Sequence, residues 1–103
     1  MADPMRIRAQ QKGDTTEVRV LMAHIMETGQ RKDSAGNTVP AHHIQTVSAT
    51  WNGKPVLAAN FGPAVSQNPV MNFSFKGGAK GDKVIVTWTD NKGDKRTDEA
   101  VIS

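Results

Sequence analysis

Short runs of alternating apolar and polar residues, each closed by turn chemistry, dominate this chain and restrict what it can fold into. Met5, Ile7 and Ala9 alternate with Arg6, Arg8 and Gln10 before Lys12-Gly13-Asp14. Val18, Val20 and Met22 alternate with Glu17, Arg19 and Leu21. Val47, Ala49 and Trp51 alternate with Thr46, Ser48 and Thr50 and stop at Asn52-Gly53, a two-residue hairpin signal. The run from Val56 to Phe61 ends at Gly62-Pro63, and Met71, Phe73 and Phe75 run up to Gly77-Gly78. Val84, Val86 and Trp88 precede Asp90-Asn91-Lys92-Gly93-Asp94, and a last run spans Arg96 to Ile102. A period of two puts successive side chains on opposite faces of a strand, and no stretch sustains the i, i+3, i+4, i+7 stripe of a helix. Seven short strands in 103 residues predict an all-β fold, an immunoglobulin-like antiparallel β-sandwich forming one domain over residues 1–103. SH3-like and OB barrels are the fold alternative, but they manage with about five strands.

Composition agrees with the pattern. There are only two Leu, against ten Val, five Ile and nine Thr, and branching at Cβ suits a pleated sheet better than a helix. Leu, Ile, Val and Phe total 20, a small apolar supply, yet a net charge of +3 is too low for a disordered chain. Trp51 and Trp88 are the large aromatics expected opposite one another in the core. With no Cys, the chain has no disulfide, thiolate nucleophile, iron–sulfur cluster, Cys-ligated zinc or blue-copper thiolate. No apolar run approaches the roughly 20 residues that cross a bilayer, so no membrane partner is expected. Met1-Ala2-Asp3-Pro4 has neither a basic nor an apolar leader region. At face value the expectation is a cytoplasmic chain, or one exported by other means.

One segment stands apart. Ala23 to His43, twenty-one residues with Gly29, Gly36 and Pro40, shows no strand pattern and reads as a long irregular loop. Loops of that length are uncommon in compact domains and often functional. All three His lie there (His24, His42, His43), with Met26, Glu27, Arg31, Lys32 and Asp33.

Three chemistries deserve weighing against a plain structural role. Imidazole and thioether ligands suit copper, and His24, Met22, Met26, His42 and His43 supply both. Adjacent residues of an extended segment point in opposite directions, however, so His42 and His43 do not readily share one ion, and the methionines serve equally as core filler. Hydrolysis would need His24 and Glu27 oriented against Thr28 or Ser34, but no strained nucleophile turn is present. Asp98-Glu99 sits in a strand pattern and reads as a solvated face. Nucleic acid is suggested by the pI of 9.5, but the cations interleave with acids and most of the five aromatics fall on core positions. No catalytic residue, cofactor or metal is therefore expected, and a binding or structural subunit fits better than an enzyme.

The loop also carries the chain's most specific motif. His24-Ile25-Met26-Glu27-Thr28-Gly29-Gln30-Arg31-Lys32-Asp33, followed by Gly36 and Val39-Pro40, resembles the signature of the SoxZ family. Gly62-Pro63-Ala64-Val65-Ser66-Gln67-Asn68-Pro69 and Trp88-Thr89-Asp90-Asn91-Lys92-Gly93-Asp94 match it in the same order, so the resemblance spans essentially the whole chain. It implies a non-catalytic subunit of the SoxYZ carrier of bacterial thiosulfate oxidation, heterodimeric with a SoxY-like subunit that carries the substrate on a Cys of a flexible arm. It also implies a periplasmic location, reached by co-export with that partner, and transient contact with other sulfur-oxidising enzymes. Pairing with the partner would cover an otherwise unpaired sheet edge, and the expected interface is obligate-sized and apolar, so that a homodimer is the expectation for an isolated copy. His24, Met26, Glu27, Thr28, Gly29, Arg31 and Asp33 are the expected partner-binding residues. In the competing structural reading, Arg31 pairs with Glu27 or Asp33 and the glycines supply positive φ. The runner-up function is a periplasmic copper-binding sandwich.

Overall fold

Each alternating run becomes a strand, because burying every second side chain against a second layer is the only way such a run removes its apolar face from water. A computed structural model describes residues 3–62 and 65–103, so the Gly62-Pro63-Ala64 turn and the first two residues lie partly or wholly outside it. The strands are β1 (Arg6–Lys12), β2 (Thr15–Leu21), β3 (Ile44–Trp51), β4 (Lys54–Asn60), β5 (Val70–Lys76), β6 (Lys83–Asp90) and β7 (Lys95–Val101). All pairings are antiparallel, in a three-stranded sheet ordered β1-β2-β5 and a four-stranded sheet ordered β4-β3-β6-β7. This is the expected all-β, immunoglobulin-like sandwich, in the form whose fourth strand pairs with the third.

The core forms where the inward positions of the two sheets meet. Ala9, Val18, Val20, Val47, Ala49, Phe75, Val84, Val86 and Trp88 are buried strand residues, closed at the ends by Met5, Met22, Met26, Ile44 and Ile102. Burying a side chain of Val or Ile size contributes about 1.5–3 kcal/mol, so this set supplies what the missing leucines do not. The two tryptophans do not face each other. β3 and β6 are neighbours in one sheet, with Trp51 opposite Val84 and Trp88 opposite Val47, so they occupy opposite ends of the same inner face. Trp51 is half-buried against Phe75, at 5.3 Å between ring centroids, and donates Nε1–H to Asp82 at 2.9 Å.

One side of the sandwich is closed and the other is not. β1 and β7 approach each other, and Ser103 continues the closure by donating to Ala9 O and accepting from Gln11 N. Among the described residues β5 pairs only with β2 and β4 only with β3, and Val56, Leu57, Phe61, Val65, Met71 and Phe73 pack on the core while only partly buried. Asp98 is no mere solvated strand residue: it accepts two bonds from Arg96 and the Met5 N–H, tying the N-terminal segment to β7.

The expectation of an irregular loop over Ala23 to His43 is corrected. Antiparallel bridges join Glu27 to His42 and Lys32 to Thr38, making the segment a narrow hairpin arm. Its tip is an Asx turn, in which Asp33 Oδ1 accepts the N–H groups of Ala35 and Asn37. The strand signal was invisible because side chains from Gln30 to Thr38 are all exposed, leaving no alternation to read. The molecule measures 53 × 20 × 19 Å.

Candidate functional site

The root of the arm is organised around one carboxylate. Strand parity carries Asp90 inward after Val84, Val86 and Trp88, and β6 ends there in a turn. Asp90 Oδ1 accepts the N–H groups of Lys92 and Asp94, both at 2.9 Å, and so shapes that turn. Its Oδ2 accepts Nε2–H of His24 at 3.0 Å and of His42 at 2.8 Å, one from each leg of the arm. Burial pushes the Asp90 carboxyl up, but the bonds from His24, His42 and the two backbone N–H groups outweigh it and hold it below the usual range. The His24 side chain is 4 % exposed and that of Asp90 0 %. The His24 ring meets His42 and Trp88 edge-on, at 4.7 and 5.1 Å between centroids.

The flanking chain locks this arrangement. Met26, at φ 52°, donates its N–H to His24 Nδ1 at 3.1 Å, which fixes the tautomer with the proton on Nε2. Met26 Sδ accepts the Ile44 N–H at 3.3 Å. Asn68 clasps His24 through both of its backbone polar groups. Asn91 does the same on the other leg, donating to Ala41 O and accepting from His43 N. A cleft of about 330 Å³ opens beside His24, His42, Asn68 and Asp90.

His24, His42 and Asp90 offer ligand atoms within 4.8 Å of one another, so their fit to a metal is a fair question. A neutral imidazole has one ring nitrogen lone pair, and His24 spends it on the Met26 N–H. Nε2 therefore presents a proton to Asp90, and the cluster is a satisfied hydrogen-bond triad. The copper set considered from sequence does not assemble either. His43 Nδ1 bonds Ile44 O, and the Met26 sulfur is taken by Ile44 N.

The seven expected contact residues do not form one set. His24 and Met26 are buried and hold the root of the arm. Glu27 is bound through both carboxylate oxygens by Arg31 Nε at 3.0 and 2.9 Å, so it does not orient His24. Gly29 adopts φ 88° with the position of a Cβ only 3.1 Å from Ala41 Cβ, a backbone requirement. Thr28, Arg31 and Asp33 are exposed along the arm. From sequence Asp90 and Asn91 are only turn residues within the third matching block and not site residues, although the parity of β6 aims Asp90 into the interior.

Residues 5–101 match the family described as sulphur oxidation protein SoxZ. The chain belongs to the SoxZ family. It is thereby a subunit of the Sox system of sulfur oxidation, and SoxZ membership implies association with SoxY. A search of the curated proteins finds no match. Among solved structures, a superoxide reductase in the oxidised state shares 18 % identity at a TM-score of 0.68, with 99 % of this chain and 89 % of that one covered. A hypothetical protein of Pyrococcus horikoshii OT3 gives 18 % and 0.67 over the same shares. A superoxide reductase (neelaredoxin) of Archaeoglobus fulgidus gives 20 % and 0.62, covering 99 % and 90 %. At such identities the likeness is one of fold.

Proposed function

We propose that this SoxZ chain is the non-catalytic scaffold of a SoxYZ-type carrier in thiosulfate oxidation. It forms a heterodimer with a SoxY-like subunit that bears the substrate on a Cys, and works in the periplasm after export with that partner. The observation that carries the reading is the absence of any Cys in 103 residues of a sulfur-oxidation subunit. Sulfur held covalently through a thiol must then reside on another chain. Two features favour a scaffold. Among the described residues the β4 and β5 edges are unpaired, and Val56, Leu57, Met71 and Phe73 on these strands are only half-buried, so both edges gain by pairing with a second chain. The arm is braced at its root by Asp90 and presents Thr28, Arg31 and Asp33 to solvent at a fixed geometry.

Co-expression with the SoxY-like subunit tests this. A one-to-one complex is expected on size exclusion, and intact masses after growth on thiosulfate should place the sulfur adduct on the partner chain alone. An adduct on the SoxZ chain, or two chains that elute separately, overturns the reading.

A further inference from the structure

The outward face of the three-stranded sheet concentrates positive charge. Register puts Arg6, Arg8, Gln10 and Lys12 of β1 beside Thr15, Glu17, Arg19 and Leu21 of β2, with Val70, Asn72, Ser74 and Lys76 of β5 next in line. Five cations share this face with one carboxylate, a formal +4, where the whole chain totals +3, so everything else sums to −1. The one acid, Glu17, pairs with Lys12 at 3.5 Å. Among the described residues Arg6, Arg8 and Arg19 have no ion-pair partner. Arg8 stands directly opposite Arg19, although like charges at facing positions destabilise a sheet. The outer face of the other sheet differs: Lys83 lies 3.9 Å from Glu99, and Thr87 bonds Thr97 across the strands.

We propose that this face is a docking surface for the acidic face of a transient partner protein, independently of how the SoxY-like subunit binds. Charge complementarity argues for it: Arg8 and Arg19 face one another while Glu17, the one acid on this face, pairs with Lys12, a repulsion that an incoming row of carboxylates removes. Arginine forks match carboxylates two bonds at a time, and a field of one sign raises encounter rates with an oppositely charged partner. Leu21 and Val70, 38 % and 47 % exposed and opposite one another in register, give the face an apolar end. Nucleic acid fits less well, because the outward positions hold no aromatic on which a base could stack.

Titration of the full ¹⁵N-labelled chain with short poly-L-glutamate tests the proposal. The expected result is amide shifts confined to β1, β2 and β5, weakening as salt rises. Both Arg8→Glu/Arg19→Glu and the milder Arg8→Gln/Arg19→Gln should weaken binding about tenfold or more, and Lys92→Glu/Lys95→Glu on the β6–β7 turn should change it less than about twofold. Shifts centred elsewhere, or equal losses in the turn variant, overturn it. So does a DNA duplex or an anionic phosphatidylserine vesicle that binds the same residues more tightly than the polypeptide.

Discussion

His24 and Asp90, sixty-six positions apart, share a 3.0 Å hydrogen bond in a site where neither side chain exceeds 4 % exposure. The bond couples the root of the arm to the end of β6, so removing the carboxylate is felt on both sides. In Asp90→Ala, His24 Nε2, His42 Nε2 and the N–H groups of Lys92 and Asp94 all lose their acceptor. Deleting one partner of a buried charged network costs about 3–5 kcal/mol. Urea unfolding is expected to show that loss, while Glu99→Ala on the exposed face of β7 stays within about 0.5 kcal/mol of the parent.

Acid sensitivity follows from the same carboxylate and from Asp98. The side-chain bond from Arg96 holds Asp98 below its ordinary value, helped by the Met5 N–H and opposed by burial. A carboxyl depressed in the folded state contributes stability that is complete above its unfolded value, about 3.9, and is lost as pH falls towards the folded value. The urea midpoint should therefore drop steeply below about pH 4. Asp98→Asn should flatten that drop, and an unchanged slope in this variant would exclude Asp98 as a contributor.

What was legible in the sequence, and what was not, divides along periodicity. Five alternating runs, the apolar stretch Val56–Phe61 and the Arg96–Ile102 segment become the seven strands, and in the five half-burial imprints a period of two on the residues. The arm carries no such imprint, since both legs run through solvent near the tip, and only its glycines and Asp33 marked the turn. The motif falls on the segment that becomes the arm, yet its His24 is held by Asp90, sixty-six positions away, and His42, beyond the motif, binds the same carboxylate from forty-eight positions away. A composition-level reading of charge missed the basic face as well. The cations look interleaved along the chain, and only register gathers Arg6, Arg8 and Arg19 onto one surface.

Gly29 tests whether the bend in the arm is a backbone requirement. Any Cβ there meets Ala41 Cβ at 3.1 Å with the backbone at φ 88°. Left-handed backbone costs an L residue about 1–2 kcal/mol, so Gly29→Ala should destabilise by at least that much. Hydrogen exchange should show the Glu27–His42 bridge opening first. An Ala variant of parental stability would mean that the bend relaxes freely.

Arg31 separates a stability role from a contact role. Its guanidinium is 60 % exposed, and an exposed pair with Glu27 is worth no more than about 0.5 kcal/mol. Arg31→Ala should leave the urea midpoint nearly unmoved, whereas affinity for the SoxY-like subunit should fall if the arm touches it. A variant that binds that subunit with parental affinity removes the arm from the interface.

The strongest discrimination comes from Arg19. A residue kept for folding should destabilise when replaced, but Arg19 faces Arg8 across the β1–β2 ladder, and neither is in an ion pair among the described residues. Arg19→Glu turns that repulsion into an opposite-charge pair, a change worth about 0.2–1 kcal/mol in favour of the fold. The variant should therefore melt higher than the parent while binding poly-L-glutamate more weakly, and the stability gain should shrink as salt rises. Stability and binding moving in opposite directions is the signature of charge retained for a partner at the expense of the sheet. A variant that both unfolds more easily and binds as before would show that Arg19 serves the fold.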